Sequence, residues 1–457
     1  MSPPRFAVVG HPNKGKSSVV ATLARDDSVF IDSLSGSTSQ CSTYPMSVDG
    51  KVIYELVDTP GFQRARGVKA WLEDNCNDAS QRSAAIKKFV NTHKNDASYA
   101  SECELLAPLI EGAGIIYVVD GSRPYGLEYE AEMEILRWTG CPSMALINPI
   151  ENEDYIEEWE KALSQYFRTV RTFNAHRAEF TKQIDLLKVF GLLVSSWTHS
   201  LNTAVELLLD ERQRQEKIAA EHITNLLMDV LQYKESQKVP DGLPTRPIAE
   251  ILTSKYKKTL ANRERQTRRA VEQLFSHYRL NRTETELELN ESELFNQERW
   301  YLFGLSKKQL TTAAIGAGAS AGVIIDLGVG GSSLFLGALT GGIIGGASAW
   351  GFSERIAKLK IQGLPTGGQL LQFGPATHTN FPFVVLGRAL HHYQSISQRS
   401  HANRSALVLE DSHPFALVST KEKSQLIQIF KNISNNKNTD HQHKLLCEFI
   451  LNCITIH

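Results

Sequence analysis

"GHPNKGKSS", residues 10–18, follows directly on the apolar run Phe6–Val9. Gly10-x-x-x-x-Gly15-Lys16-Ser17 is a complete phosphate-loop pattern, and it lies where that pattern works, between a β-branched strand run and a stretch of helical spacing. Glycines at both ends let the turn His11-Pro12-Asn13-Lys14 curl its backbone around phosphate oxygens. The positive end of the helix that begins with Lys16, Ser17 and Ser18 lies behind them. In such a loop Lys16 reaches the β- and γ-phosphates and the Ser17 hydroxyl ligates Mg²⁺.

Downstream, "ELVDTPG" (55–61) puts Asp58 at the end of a second strand and Gly61 three residues later. A carboxylate there can hold Mg²⁺ through water, and the Gly61 N–H can bond a γ-phosphate and so sense its presence. Asp-x-x-Gly is weak alone; after a phosphate loop and a hairpin at Asp49-Gly50 it is specific. "AGIIYVVDGS" (113–122), "PSMALINPI" (142–150) and "FRTVRTFNAH" (167–176) add further strands. "GLEYEAEMEILRWTG" (126–140) and "FTKQIDLLKVFGLLVSSWT" (180–198) read as helices. Alternating strands and helices predict an α/β fold, a mostly parallel sheet with helices on both faces, binding its ligand at the carboxyl ends of the strands.

These motifs resemble the Era/TrmE-like branch of the translation-factor class of GTPases, over roughly residues 1–197. The resemblance implies a P-loop G domain that binds GTP with Mg²⁺, with Lys16, Thr38 and Gly61 as its catalytic positions. Thr38, in "GSTS" (36–39), matches the switch threonine and would join Ser17 and Asp58 on Mg²⁺; Ser37, Ser39 and Thr43 are neighbouring hydroxyls. Asn13 matches the loop residue that holds K⁺ in several members, or it only shapes the loop. Two departures stand out. Asn148-Pro149-Ile150-Glu151 occupies the Asn-Lys-x-Asp position: Asn148 fits, Glu151 could supply the base-reading carboxylate, and Pro149 removes the lysine. Phe62 stands where Ras-like switches carry a water-orienting Gln, with Gln63 and Arg64 adjacent, so slow intrinsic hydrolysis is expected, accelerated by K⁺, a homodimer or another protein.

The 457 residues carry a net charge of −1, but residues 1–197 hold 20 Lys/Arg against 26 Asp/Glu while the remainder holds 29 against 24. Near-neutrality argues against a chain that coats nucleic acid, and the asymmetry points to different partners for the two parts. Six cysteines without a Cys-x-x-Cys pair, and a start with no charged leader, predict a reduced, cytoplasmic protein.

From about residue 198 the texture becomes helical, which predicts a second, mainly α-helical domain over 198–457. Its helices would include "LNTAVELLLDERQRQEKIAAEHITNLLMDVLQYKES", "IAEILTSKYKKTLANRERQTRRAVEQLFSHY" and "NFPFVVLGRALHHYQSISQRSHANR". Residues 313–350 contain eleven glycines, with small-xxx-small spacing at Gly318–Gly322, Gly337–Gly341 and Gly341–Gly345. They read as a helical hairpin within 309–352, which either contacts inner-membrane lipid or packs in a soluble domain or oligomer contact. The basic run 255–269 reads as a solvated helix face or a leaflet-facing one, with RNA binding last. His391, His392 and His401, beside Arg399 and Arg404, lack a metal-ligand spacing, so surface or capping roles are expected. The segment after Ser419 carries no readable role. The whole arrangement resembles a bacterial family of GTPases with an uncharacterised carboxyl-terminal domain. Two rival readings remain: a membrane or scaffold protein that binds nucleotide without turnover, and an RNA- or ribosome-linked assembly factor of the Era kind.

Overall fold

The computed structural model describes residues 3–29, 31, 38–278, 280, 357–364, 367–376, 381–405 and 419–455. The glycine-rich hairpin expected within 309–352 lies outside the described residues. The chain divides into two compact units, the first made of Met1–Arg214, Ser276–Leu280 and Gln398–Ser405 and the second of the remainder.

In the first unit β1 (Arg5–Val9) leads through the phosphate loop into α1 (Lys16–Ala24). The hairpin strands β2 (Ser42–Val48) and β3 (Lys51–Asp58) follow, then the helices α2 (Ala65–Asp74), α3 (Arg82–His93) and α4 (Ala100–Ile110). Next come β4 (Gly114–Asp120), α5 (Glu128–Thr139), β5 (Ser143–Asn148), α6 (Ile156–Leu163), β6 (Val170–Thr172) and α7 (Phe180–Leu193). The sheet order is β2-β3-β1-β4-β5-β6. β2 pairs antiparallel to β3 and every other neighbour is parallel. Asp49 and Gly50 both have positive φ, 51° and 75°, as a two-residue hairpin turn requires.

Strand alternation builds two cores. Phe6 and Val8, Ile116 and Val118, and Met144 and Leu146 face the side covered by α1 and α7. Ala7 and Val9, Ile115 and Tyr117, and Ala145 and Ile147 face the side covered by α2 to α6. Phe6 packs on Phe190 and Trp197 with ring centroids 4.4 and 5.2 Å away, and burial of a side chain of that size contributes about 1.5–3 kcal/mol. This is a G-domain architecture. Since β3 and β4 flank β1 on opposite sides, the sheet order reverses where the phosphate loop leaves β1, which is where such sheets hold ligands.

The helix expected over 180–198 is two helices. Val194 adopts extended backbone and α8 (Ser195–Gln232) begins directly after it, with the Thr198 hydroxyl donating to the Gly191 carbonyl at 2.6 Å. α8 carries the chain into the second unit.

There β7 (Glu235–Val239), α9 (Thr245–Leu274), β8 (Ala357–Gly363) and β9 (Gln369–Ala376) are followed by α10 (Phe381–Ser397), α11 (Thr420–Ser434) and α12 (Thr439–Thr455). The strands form an antiparallel sheet, β7-β9-β8, not anticipated from sequence. α9 lies on it through Tyr256, stacked on Tyr233 and edge-on to Phe373. Much of the basic run on α9 is tied up within the unit. Lys255 pairs with Glu235 and Arg263 with Asp229. Arg268 and the buried Arg388 of α10 both meet Glu264 at 2.7 Å, holding its carboxyl down at about 2. The surface or capping roles expected for the histidines are corrected: His391, His392 and His401 are all buried. His392 Nε2 faces the Glu272 carboxylate at 3.2 Å. Among the described residues no helix is long and apolar enough to cross a membrane.

Candidate functional site

The loop between β1 and α1 is closed by its own lysine. The Lys16 ammonium donates to the His11 carbonyl at 2.9 Å, and desolvation pulls its pKa down to about 8 against the opposing pull of Asp58 and Glu132. A buried cation with one backbone partner is poised to exchange that partner for phosphate oxygens. Gly15, at φ 80°, has no room for a side chain: a Cβ would lie 2.2 Å from Asn148 Nδ2. Asn13 also has positive φ, 59°, at the exposed tip of the loop.

The two motifs predicted to share a metal meet. The Ser17 hydroxyl donates to Asp58 Oδ2 at 2.7 Å, and the Thr38 side chain reaches the same carboxyl. Burial raises the Asp58 pKa while these hydroxyls and Lys16 oppose it. Among the described residues, the buried Asp58 Oδ1 has no hydrogen-bond partner. An orphaned carboxylate oxygen beside two hydroxyls is a hard-oxygen donor set of the kind Mg²⁺ takes, so the residues fit the ion. The Asp58-Thr-Pro-Gly61 turn is held to β1 and to the start of the phosphate loop: the Thr59 hydroxyl donates to the Val8 carbonyl and the Phe62 N–H to the Gly10 carbonyl. A Cβ on Gly61 would lie 2.5 Å from Pro12 N.

Asn148, fully buried at the end of β5, ties two loops together. Its Nδ2 donates to the Lys14 carbonyl at 3.3 Å and its Oδ1 accepts from the Ala175 N–H at 3.0 Å. Ala175 sits in "FNAH", the loop after β6. Glu151 is exposed and paired with Arg123 at 2.9 Å. Phe62 is packed in the core at 1% exposure, while Gln63 and Arg64 are exposed and donate their backbone N–H groups to Glu102. Ser18 is buried on α1.

Two site-side carboxylates escaped the sequence reading. Glu132 of α5 accepts from Tyr117 at 2.9 Å and faces His11 Nδ1 at 2.8 Å, behind the phosphate loop; burial raises its pKa. Glu102 of α4 holds the backbone just ahead of α2 through the Gln63 and Arg64 N–H groups. The signal was available: Glu132 lies on the stripe of α5 that carries Tyr129, Met133 and Leu136, where an unpartnered carboxylate has no place.

Comparison with known proteins follows this division. Residues 160–445 match the family described as "Domain of unknown function (DUF3482)". The chain belongs to the DUF3482 family. Residues 5–140 of this DUF3482 chain match the family described as "50S ribosome-binding GTPase". The chain is 40% identical over 70 residues to GTPase Der of Agathobacter rectalis, covering 15% of this chain and 16% of that one. It is 28% identical over 163 residues to GTPase Der of Clostridium perfringens, covering 35% and 30%. It thus spans less than a third of the length of these curated relatives. Among solved structures, Aquifex aeolicus Era bound to GDP and AlF4− aligns at 14% identity and a TM-score of 0.28, over 60% of this chain and 90% of that one.

Proposed function

We propose that the chain is a GTP-binding switch that hydrolyses GTP slowly with Mg²⁺. The observation that carries this reading is the Ser17–Asp58 contact, with its orphaned carboxylate oxygen, beside the buried Lys16. Lys16 and the loop 10–18 hold the phosphates. Ser17, Thr38 and Asp58 hold Mg²⁺, which when bound neutralises charge on the β- and γ-oxygens. Thr38 and Gly61 sense the terminal phosphoryl group. Asn148 fixes the phosphate loop relative to the base-side loop at Ala175, and Glu151, once released from Arg123, supplies the carboxylate that reads guanine. Asn13, at the loop tip, is the K⁺ position.

Slow turnover draws on Phe62, whose packed ring leaves the water-orienting position without a polar side chain. The same observation supports the second reading, nucleotide binding without turnover. In the switch reading residues 1–197 form the G domain of a cytoplasmic protein and 198–457 the responding domain. The segment 309–352 contacts inner-membrane lipid, and a homodimer or another protein accelerates hydrolysis.

Phosphate release by the full chain, with GTP or ATP, with and without K⁺ and anionic liposomes, tests this reading. Release from GTP above a Lys16→Ala control supports the switch. GTP binding without release above that control supports the second reading.

A further inference from the structure

The first unit contains a piece of chain from far downstream. Gln398–Ser405 belongs to it, far downstream of β6 (Val170–Thr172), the last strand of its sheet. Ser400 is 2% exposed. Its hydroxyl donates to the Ala175 carbonyl and lies 2.8 Å from the Thr22 hydroxyl of α1, which itself donates to that carbonyl at 2.9 Å. Just past α1, Asp27 accepts from His401 Nδ1 at 2.8 Å, with Arg404 3.5 Å away. The Arg404 guanidinium also donates to the Val29 carbonyl at 3.2 Å. Ala402 is fully buried in the core formed with Val20, Leu23 and Phe173.

Two of the places these contacts reach bear on the site: α1, the helix whose first turn carries Lys16 and Ser17, with the residues just past it, and the loop that Asn148 ties to Lys14. The peptide groups of Ala175 are therefore fixed from both sides, its N–H by Asn148 and its carbonyl by Ser400 and Thr22. A carbonyl buried at this depth that lost a hydroxyl donor would let the loop re-orient.

We infer that Gln398–Ser405 is a built-in part of the nucleotide site, with Ser400 a positioning residue that holds the base-side loop through the Ala175 carbonyl. The inference rests on the reading of this unit as a guanine-nucleotide site. It implies that a G domain cut from the chain before Gln398 lacks one wall of that loop.

The test is the dissociation rate of a fluorescent GDP analogue from the full-length chain. Ser400→Ala is expected to release it about 3- to 10-fold faster, the worth of one buried hydrogen bond. Ser400→Thr, which keeps the hydroxyl, is expected to restore the rate to within about twofold. A merely structural serine would lower the melting temperature without moving the dissociation rate, and that result overturns the inference. A second measurement needs no variant. GDP should slow amide exchange in both 173–177 and 398–405 of the wild-type chain, and protection confined to the loop 10–18 and 173–177 overturns the inference while leaving the site reading intact. A wild-type chain that binds no guanine nucleotide removes both.

Discussion

Ser17 and Asp58, 41 positions apart in sequence, share one hydrogen bond of 2.7 Å. The contact joins the start of α1 to the end of β3 and leaves the second Asp58 oxygen unsatisfied. Asp58→Asn keeps the shape but removes the charge that a hard cation requires. The variant is expected to retain GDP binding, to lose the Mg²⁺ dependence of GTP affinity, and to hydrolyse at least about tenfold more slowly. Magnesium titrations of GTP affinity check it; an unchanged magnesium dependence contradicts the assignment.

Gly61→Ala would drive a Cβ to 2.5 Å from Pro12 N, a backbone atom of the phosphate loop that cannot step aside cheaply. The Asp-Thr-Pro-Gly turn must then retreat. Expected is a protein that binds GDP and a non-hydrolysable GTP analogue equally well, because the γ-phosphate has lost its sensor. Calorimetric affinities for the two ligands decide this.

Asn148→Ala removes the group that bridges Lys14 and Ala175, both through backbone atoms. The buried Ala175 N–H loses its partner, at about 1–3 kcal/mol, and the partly buried Lys14 carbonyl loses one as well. Nucleotide affinity should fall by at least about tenfold and the melting temperature should drop. Retained affinity would mean that the bridge plays no part in binding.

Lys16 gives the site a pH dependence of known sign. In the free protein its pKa is down at about 8, and phosphate binds its protonated form. Affinity should therefore be level below that value and weaken through it, by up to about tenfold between pH 7 and pH 9. Lys16→Arg should flatten the profile. GDP affinity measured at a series of pH values reads this directly.

His401 sets a second dependence, on stability. Burial pulls its imidazole down to about 4 from the ordinary 6.5, against the pull of Asp27 and with His277 and Arg25 lowering it further. The unfolded chain therefore binds a proton between those values that the folded chain refuses. Stability falls as pH drops from about 6.5 toward 4, by up to about 3 kcal/mol from this group, and is level above 6.5. His401→Gln should reduce the slope of thermal stability with pH across that window. An unchanged slope would remove His401 from the account.

The parts of the fold read from sequence were those with a local signal: the buried runs of β1, β4 and β5, the Asp49-Gly50 turn, and the phosphate loop. The three-stranded sheet had none. β7 is Glu-Ser-Gln-Lys-Val, mostly polar, and its partner β9 lies 130 residues away. α11 was announced by a Ser419-x-x-Glu422 capping box, which the structure forms in full and which the polar, Asn-rich sequence around it obscured. The histidines were read by their spacing along one segment. Their partners, Asp27 for His401 and Glu272 for His392, come from other elements, so no spacing rule could find them.

The central claim is that residues 10–18, with Asp58, grip a magnesium-bound guanine nucleotide. Titration calorimetry of the full-length chain with GTP, GDP and ATP in Mg²⁺ tests it most directly. The prediction is saturable binding of GTP and GDP, at least about tenfold tighter than ATP and abolished by Lys16→Ala. Absence of heat with all three nucleotides, or equal affinity in the Lys16→Ala variant, would contradict it.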